Sequence, residues 1–584
     1  FFLDNIANDL ATTTTTTTTT NTGATSVHPI LQVDAIKYIY IFRNQLTKEQ
    51  LMMTLPRLID HLDIKSNPVV YTYSAITIEK LLSMTNFNQD HTPIFNKTDI
   101  QPYINELLTN LFNLICINNN NNNNNNNSSP EKLAENEFLI KCIMRILNTG
   151  EDSLNENNRF PIINQLLTIL KLTAKNPSNP KFSHYIFESL GLLIKYGIND
   201  NDNNNNAANQ YIEIIIPALL DILSEDVQEF VPYTFQILAF LLEKYPKQQG
   251  LPETYKNLIQ PLLSPLVWQF RGNIPGITRL LIAILEHDPN STFINGGEKT
   301  LTPLLGVFQN LLASKINDGY GFDLIQSIML NIPIQPSLQS FLPNIARLML
   351  TRLQKSRTDK YVKRFVTFLC LLSTISLQGT TTTTTTTTTN VNKDILNGEF
   401  VIQFLESVQS GLFQQILTSF ILPTSSILTN LQDKKLVNIG LSQILVTIST
   451  TSEQYAHLTP LILETLISNL NSYEGISKSS TNNNNNGISS SSSTIATTIS
   501  GGQQPLNELD LDLDLNFNFN SFGSQYSKIV LIQNSPFDPL NNLIKNNDFN
   551  NIKLIIFNNI KKIDIKYLYG LNSTNQEILK KLGF

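Results

Sequence analysis

The stretch LTPLLGVFQNLL, residues 301–312, decides the fold class. Its apolar side chains recur three and four positions apart, so Leu304, Leu305 and Phe308 fall on one face of an α-helix. Pro303 stands near the start, where the first helical turn tolerates a residue without an N–H. The segment therefore predicts an amphipathic helix that opens with a proline and needs a partner to cover one face. Truncating Leu305 or Phe308 to Ala is expected to cost about 2 to 5 kcal/mol.

The same proline-led apolar pattern recurs along the chain, with prolines at positions 56, 102, 161, 217, 261, 303, 343, 423 and 460. The spacing is roughly 40 to 47 residues once the intervals that contain Asn or Thr tracts are set aside. Each period also holds a second amphipathic segment after a short polar turn. Two helices in a period of this length are typical of HEAT or armadillo repeats, which stack because one pair cannot cover its own apolar face.

We therefore predict an all-α fold, a HEAT-repeat superhelical solenoid of roughly ten to eleven helix pairs over residues 1–475. Runs of Thr or Asn bury too little apolar area to offset the entropy of ordering, so they are expected as loop insertions. These low-complexity inserts lie near residues 12–20, 118–129, 199–208 and 380–389.

The end of the chain departs from this pattern. Residues 476–505 are predicted as a low-complexity linker, and residues 506–584 as an acidic segment followed by capping helices over the last repeat. The candidates for capping helices are residues 526–533 and 554–568.

The composition narrows the classes of function. The chain has 41 basic and 47 acidic side chains, a formal net charge of −6, so we expect no nucleic-acid partner. Its three cysteines lie far apart, which favours a reducing compartment over a disulfide or zinc framework. No apolar run reaches the roughly 18 to 20 residues of a membrane span, so no membrane insertion is expected. The chain opens with Phe1 and without a signal-peptide pattern, as expected of a piece of a larger protein.

Signals for catalysis or cofactors are weak. The glycines of residues 319–321 lack the spacing and the lysine of a phosphate-binding loop. His184 and His287 show no His or carboxylate at ligand spacing, and the alternating aspartates of residues 510–514 lack the glycine and glutamate of a calcium loop. We therefore expect no enzyme, no metal site and no cofactor.

A surface for partners is the remaining candidate site. Lys360, Lys363 and Arg364 fall opposite the apolar stripe of a predicted second helix and form a basic face. Second helices of HEAT arrays line the concave side of the solenoid, where we expect partners to bind. A solvated face without a partner is the alternative interpretation of the same pattern. The full set of candidate contacts is Arg271, Asn273, Arg279, Lys315, Asn317, Asp318, Lys355, Lys360, Lys363 and Arg364. For the turn residues Gly272, Asn273 and Asp318, helix capping alone is an open alternative.

Several strings resemble one family. They are VDAIKYIYIFRNQL (residues 33–46), ENEFLIKCIMRIL (135–147), NPSNPKFSHYIFESLGLLIK (176–195), WQFRGNIPGITRLLIAILE (268–286) and RLQKSRTDKYVKRFVTF (352–368). Together and in this order they resemble the exportin-2 family of the karyopherin-β class, the importin-α re-exporters. The resemblance extends over nearly the whole chain and weakens after Gly398.

The resemblance implies a nuclear export receptor that wraps importin-α together with Ran bound to GTP. Such a receptor passes through nuclear pore components and shuttles between nucleus and cytoplasm. The resemblance also implies that this chain is the carboxyl-terminal part, without the amino-terminal region that supplies the main Ran-binding surface. A generic HEAT-repeat interaction scaffold fits the same periodicity, and only the quoted strings favour the export receptor over it.

Overall fold

The computed structural model describes residues 2–11, 13–15, 24–86, 92–117, 130–198, 206–295, 298–377, 391–450, 453–484, 528–533, 540–541, 544 and 548–584. Most of these residues are helical, which confirms the predicted all-α HEAT-repeat class. Two short strands, β1 (Thr13–Thr15) and β2 (Ala24–Ser26), pair antiparallel with Thr14 opposite Thr25. Part of the first Thr tract is thus a strand rather than a loop, since β-branched threonine suits extended backbone.

The α-helices of the first half, in chain order, are α1 (Phe2–Asp9), α2 (Pro29–Phe42), α3 (Lys48–Asp60), α4 (Pro68–Leu82), α5 (Lys97–Ile100), α6 (Ile104–Ile117), α7 (Pro130–Ala134), α8 (Glu137–Gly150), α9 (Glu156–Thr173), α10 (Pro180–Gly197), α11 (Asn206–Ser224), α12 (Val231–Lys244), α13 (Glu253–Leu263) and α14 (Ile274–His287).

Those of the second half are α15 (Glu298–Ala313), α16 (Asp318–Asn331), α17 (Leu342–Lys355), α18 (Asp359–Thr374), α19 (Gly398–Glu406), α20 (Leu412–Ile416), α21 (Leu422–Ile427), α22 (Leu431–Thr450), α23 (Thr459–Asn484), α24 (Phe549–Ile560), α25 (Ile565–Tyr569) and α26 (Ser573–Leu582). Of the other tracts, Asn206 begins α11 and residues 482–484 end α23. The inserts near 118–129 and 380–389 lie outside the described residues.

The chain divides into two compact units. Unit 1 comprises Phe1–Pro246, Phe270–Leu280 and Ser491–Asn534, and unit 2 comprises Lys247–Gln269, Leu281–Ser490 and Ser535–Phe584. Residues late in the sequence therefore belong to unit 1, and in mid-chain residues 247–269 of unit 2 precede residues 270–280 of unit 1.

Unit 1 consists of two layers of helices. One layer, here called the second-helix layer, contains α2, α4, α8, α10 and α12, each packed on the next. The other layer contains α3, α6, α9 and α11, which pack on α4, α8, α10 and α12 respectively. Each of these helices thus buries its apolar stripe against at least one neighbouring helix.

Unit 2 repeats this arrangement. Its second-helix layer contains α16, α18, α22 and α24, again packed in series. Helices α13, α15, α17 and α19 form the other layer, with α15 on α16 and α17 on α18. Near the end of the chain, α24 and α26 pack on α23.

Helices α18 and α22 approach one another closely at Gly440. A Cβ atom there would lie 2.6 Å from Cys370 Cβ and 2.7 Å from the Cys370 carbonyl oxygen. The Ser373 hydroxyl closes the contact, because it donates to the carbonyl oxygens of both Cys370 (2.7 Å) and Gly440 (3.2 Å). Any side chain at position 440 would therefore force the two backbones apart.

The predicted position of the prolines is wrong for several helices. Pro56, Pro161, Pro217, Pro261 and Pro303 lie inside α3, α9, α11, α13 and α15 rather than in their first turns. The apolar stripe continues upstream of each proline; in α3, buried Leu51 precedes Pro56. Burial of that stripe offsets the hydrogen bond that a proline removes, a loss of about 3 kcal/mol in an isolated helix.

The expectation for residues 526–533 is also wrong. The described part, residues 528–533, is a non-helical turn in unit 1, whereas residues 526 and 527 lie outside the described residues. Side-chain oxygens of other helices accept the backbone N–H groups that a helix would have used internally.

One described helix has the length and hydropathy of a membrane span. It is α11, in which the 18 residues of Ala207–Ser224 have a mean hydropathy of 1.2. In the structure α11 packs between α9 and α12, and Asp221 on its surface forms a 2.8 Å ion pair with Lys171 of α9. The apolar residues of α11 thus supply the contacts of a repeat helix.

We predict that Phe308→Ala lowers the free energy of unfolding by about 3 to 5 kcal/mol, because the ring is completely buried in α15 and its removal leaves a cavity. Leu305 is only half-buried, so Leu305→Ala should cost less than was expected from the sequence. Denaturant unfolding followed by far-UV circular dichroism measures both. The matched control is Gln309→Ala at the exposed neighbouring position, which should change stability by less than about 0.5 kcal/mol.

Candidate partner-binding surface

Helix α18 carries the predicted basic face, which is defined here as Lys360, Lys363 and Arg364. The helix begins after Thr358, whose hydroxyl accepts the Tyr361 N–H at 3.2 Å as an N-terminal cap. Tyr361 is buried, and all three cations are exposed. The capped start and the apolar stripe therefore fix which side of α18 presents the positive charges.

Acidic side chains of two neighbouring helices surround this basic face. Lys360 Nζ lies 3.7 Å from Asp318 Oδ1, and an Arg364 guanidinium nitrogen lies 3.5 Å from Asp323 Oδ1, both on α16. Asp433 of α22 also interacts electrostatically with Arg364. Burial raises the pKa of Asp323 and of Asp433, and the nearby cations partly oppose that rise. The surface is thus a mosaic of both signs rather than a purely basic patch.

Asp318 has a structural role beneath the mosaic. Its carboxylate lies 3.2 Å from Arg352 of α17, and the two side chains are 1% and 5% exposed. Arg352 also donates to the Leu312 carbonyl oxygen and to Ser356, and its guanidinium lies over the Tyr361 ring. The capping alternative is wrong for this carboxylate, because it forms a buried ion pair that joins α16 to α17.

The remaining turn residues differ in exposure. Arg271, Lys315 and Lys355 are exposed, and Asn317 is half-buried at the cap position of α16, where its side chain makes no capping hydrogen bond. Asn273 is buried, at 4% exposure. Three of these five positions therefore offer charge to solvent.

Arg279 of α14 is already engaged. Its Nε and one terminal nitrogen donate to the two carboxylate oxygens of Glu243, at 2.8 and 2.7 Å, and the guanidinium lies over the Phe240 ring. The same terminal nitrogen donates to the Ile532 carbonyl oxygen at 2.9 Å. This bidentate pair leaves Arg279 oriented by the protein itself.

The structure thus separates the candidate residues into two groups. Arg271, Asn273 and Arg279 belong to unit 1, and the others belong to unit 2. Within unit 2, the basic face and Asp318 lie together on α18 and α16. Sequence reasoning missed Asp323 and Asp433, since local spacing does not reveal which carboxylates a neighbouring helix supplies.

One pair of buried titratable groups was overlooked. His184 Nε2 lies 3.5 Å from Glu188 Oε1, one helical turn further along α10, so the statement that His184 has no carboxylate at ligand spacing is wrong. The His184 ring also contacts the Tyr233 hydroxyl at 3.3 Å. Burial raises the pKa of Glu188 to about 7. Among the described residues, no group of three or more His, Cys, Asp or Glu side chains is placed to hold a metal ion.

Serial helix pairs with a charged face on the second-helix layer define the class of HEAT-repeat interaction proteins. Comparison with known families places the chain more closely. The family described as "CAS/CSE protein, C-terminus" matches residues 79–496, and the family described as "Cse1" matches residues 1–78. The chain belongs to the CAS/CSE family.

Relatives support this assignment. The importin alpha re-exporter of Saccharomyces cerevisiae is 39% identical over 548 residues, which cover 94% of this chain and 48% of that protein. Exportin-2 of Homo sapiens is 33% identical over 473 residues, 80% of this chain and 43% of that protein. A solved structure of the exportin Cse1 in its cargo-free, cytoplasmic state matches with a TM-score of 0.73 and 34% identity, over 100% of this chain and 51% of that one. The chain spans about half the length of the curated relatives it matches.

We predict that Asp318→Asn lowers the free energy of unfolding by about 3 to 5 kcal/mol, because it leaves the Arg352 charge buried without its counter-ion. Denaturant titration followed by far-UV circular dichroism gives the value. Asp323→Asn is the matched control: its ion pair with Arg364 is half exposed, so its loss should cost less than about 1 kcal/mol. Equal effects of the two variants would contradict a structural role for Asp318.

A second prediction concerns Glu188, whose pKa is raised from 4.5 to about 7 by burial. The folded chain holds this proton over a pH range in which the unfolded chain has lost it, so its contribution to stability is complete below pH 4.5 and is lost as the pH rises through 7. The stability of wild type relative to Glu188→Gln should therefore fall with rising pH, by roughly 3 kcal/mol in all.

Thermal midpoints of the two proteins at a series of pH values test this. Glu213→Gln, at an exposed position of α11, is the control and should show no such trend. A constant difference between wild type and Glu188→Gln across the range would contradict the raised pKa.

Proposed function

We propose that the chain is the importin-α-binding part of a nuclear export receptor. The receptor returns importin-α from nucleus to cytoplasm in a complex with Ran-GTP, contacts nuclear pore components in transit, and has no enzymatic activity of its own. Support comes from the CAS/CSE family and from relatives named importin alpha re-exporter and exportin-2. Because the chain matches about half of their length, the activity of a whole receptor is part of the proposal.

The observation that carries the proposal is that the basic face on α18 is exposed and only loosely ion-paired. Lys360 and Arg364 are held by ion pairs of 3.7 and 3.5 Å, longer than the roughly 2.7 to 2.9 Å of a charge-assisted hydrogen bond. Their side chains remain 62% and 50% exposed. The pair of Arg364 with Asp323 is exposed on both sides and contributes about 0 to 1 kcal/mol. Asp318 keeps buried Arg352 as its counter-ion when Lys360 moves away. A partner's carboxylates can therefore take over Lys360 and Arg364 at little cost.

The other candidates take two roles in this proposal. Lys315 and Lys355 are exposed in unit 2, and with Asn317 they extend the polar surface of that unit. Arg271 offers an exposed charge in unit 1. Asp318 pairs with Arg352 within unit 2 and Arg279 pairs with Glu243 within unit 1, so each joins helices of its own unit. Asn273 is buried in unit 1.

Affinity must then come from many contacts. Single exposed charges contribute little, so importin-α and Ran-GTP together would bury well over about 2,000 Å². Repeats that contact only their neighbours can each rotate slightly, and these rotations add along the array. If each partner stabilises the same bent form, each strengthens the binding of the other, by a coupling free energy of about 1 to 3 kcal/mol.

We predict that reversing the basic face (Lys360→Glu, Lys363→Glu and Arg364→Glu together) weakens importin-α binding at least about tenfold, a loss of about 1.4 kcal/mol or more. The reversed charges would repel the acidic groups that the face now attracts. Titration calorimetry with purified importin-α and GTP-locked Ran, at fixed ionic strength, measures the change.

The matched control carries the same change of charge on the opposite layer: Lys256→Glu, Lys299→Glu and Arg347→Glu, at exposed positions of α13, α15 and α17. It should bind like wild type. Unchanged affinity of the α18 variant, with its helicity intact, would remove this face from the site. Binding of importin-α that is indifferent to Ran-GTP would favour the generic scaffold over the export receptor.

A further inference from the structure

A short segment late in the sequence, residues 528–533, lies on α10, α12 and α14 within unit 1. It forms a turn in which the Gln533 N–H donates to the Val530 carbonyl oxygen at 3.3 Å. Ile529 and Ile532 are 0% and 2% exposed, whereas Val530 is 44% exposed. The segment therefore presents two branched apolar side chains, three positions apart, to the helices.

Side chains of the helices accept the backbone N–H groups of the segment. The Gln236 side-chain oxygen of α12 accepts from Ile529 at 2.9 Å. The two oxygens of the Glu188 carboxylate on α10 accept from Val530 at 2.5 Å and from Leu531 at 3.1 Å. Two helices thus bind three successive N–H groups of the segment. These hydrogen bonds do not depend on which side chains the segment carries.

Basic side chains bind the carbonyl groups of the same segment. Arg279 of α14 donates to the Ile532 oxygen at 2.9 Å, and Lys195 of α10 donates to the Leu531 oxygen at 3.4 Å. Main-chain groups at both ends of the turn are therefore hydrogen-bonded by side chains of the helices. A peptide that is bound through its backbone is held in the same way.

Two of the groups that bind the main chain are also held by the helices themselves. The Gln236 side-chain nitrogen donates to the Pro232 carbonyl oxygen at 2.9 Å, which turns its oxygen toward the segment. Glu243 holds Arg279 in the bidentate pair described above. With the segment in place, Glu188 is 2% exposed and both of its side-chain oxygens accept main-chain N–H groups of the segment.

The groove also has a shape that selects its occupant. Gly191 of α10 faces the segment, and a Cβ atom there would lie 2.8 Å from Ile532 Cγ2. The three atoms nearest to that position all belong to Ile532, so this side chain packs directly on Gly191.

We propose that α10, α12 and α14 form a binding groove for peptide main chain, and that residues 529–532 are its intramolecular ligand. The ligand class is a protein segment with branched apolar residues at the first and fourth positions, supplied in trans by a partner that displaces the resident segment. Tethering favours the chain's own segment through its high effective concentration, so release is part of partner binding. The inference does not depend on the identity of the partners proposed above.

Eviction of the segment tests the geometry. Gly191→Ala should raise the hydrogen-exchange rate of the Val530 and Leu531 amides about tenfold or more, measured by mass spectrometry, because the new methyl group takes the place of Ile532. Gly306→Ala in α15, with nothing within 4 Å of the added atom, is the matched control and should leave both amides protected. Unchanged protection in Gly191→Ala would overturn the assignment.

A peptide tests the groove as a binding site. Fluorescence anisotropy of labelled SKIVLIQN, residues 527–534, should show binding to the full chain carrying Ile529→Asp and Ile532→Asp, in which the groove is vacated. Wild type, whose groove is filled, should bind at least about tenfold more weakly. Adding Gly191→Ala to the vacated chain, or both Asp substitutions to the peptide, should abolish the signal. Failure of the peptide to bind the vacated, folded chain would mean that the segment is only a structural brace.

Discussion

A pair of amphipathic helices in this chain cannot bury its own apolar stripes, and most of the structure follows from that constraint. Phe308 is completely buried in α15, a helix that packs against α13, α16 and α17. The same need sets α2, α4, α8, α10 and α12 in one series and α16, α18, α22 and α24 in another. Charged residues lie on the remaining faces of the helices, which do not take part in stacking and need not be apolar.

Features that depend on local spacing could be predicted from the sequence. The stripe of α18 and its opposite cations lie within one helix, so a period of 3.6 residues was enough to place Lys360, Lys363 and Arg364 outside. The prolines misled the prediction, because their preference for a first turn holds for isolated helices. In α3 and its counterparts, burial of the upstream stripe outweighs that preference.

Features that depend on contacts between distant residues could not be predicted. Asp318 meets Arg352 across two helices, and Glu188 meets Val530 more than three hundred residues further along the chain. No spacing in the sequence encodes such pairs, and the polar turn before α16 looked equally suited to capping. The proximity of His184 to Glu188 was different, since their separation of one helical turn was visible and was missed.

The contact at Gly440 connects the interior to the outer charges. Because the backbones of α18 and α22 touch there, neither helix can slide along the other without a clash. Lys363 and Arg364 lie on α18, and Asp433 lies on α22. The relative position of the opposite charges along this edge is therefore set by the buried contact at Gly440, where any side chain would hold the two helices apart.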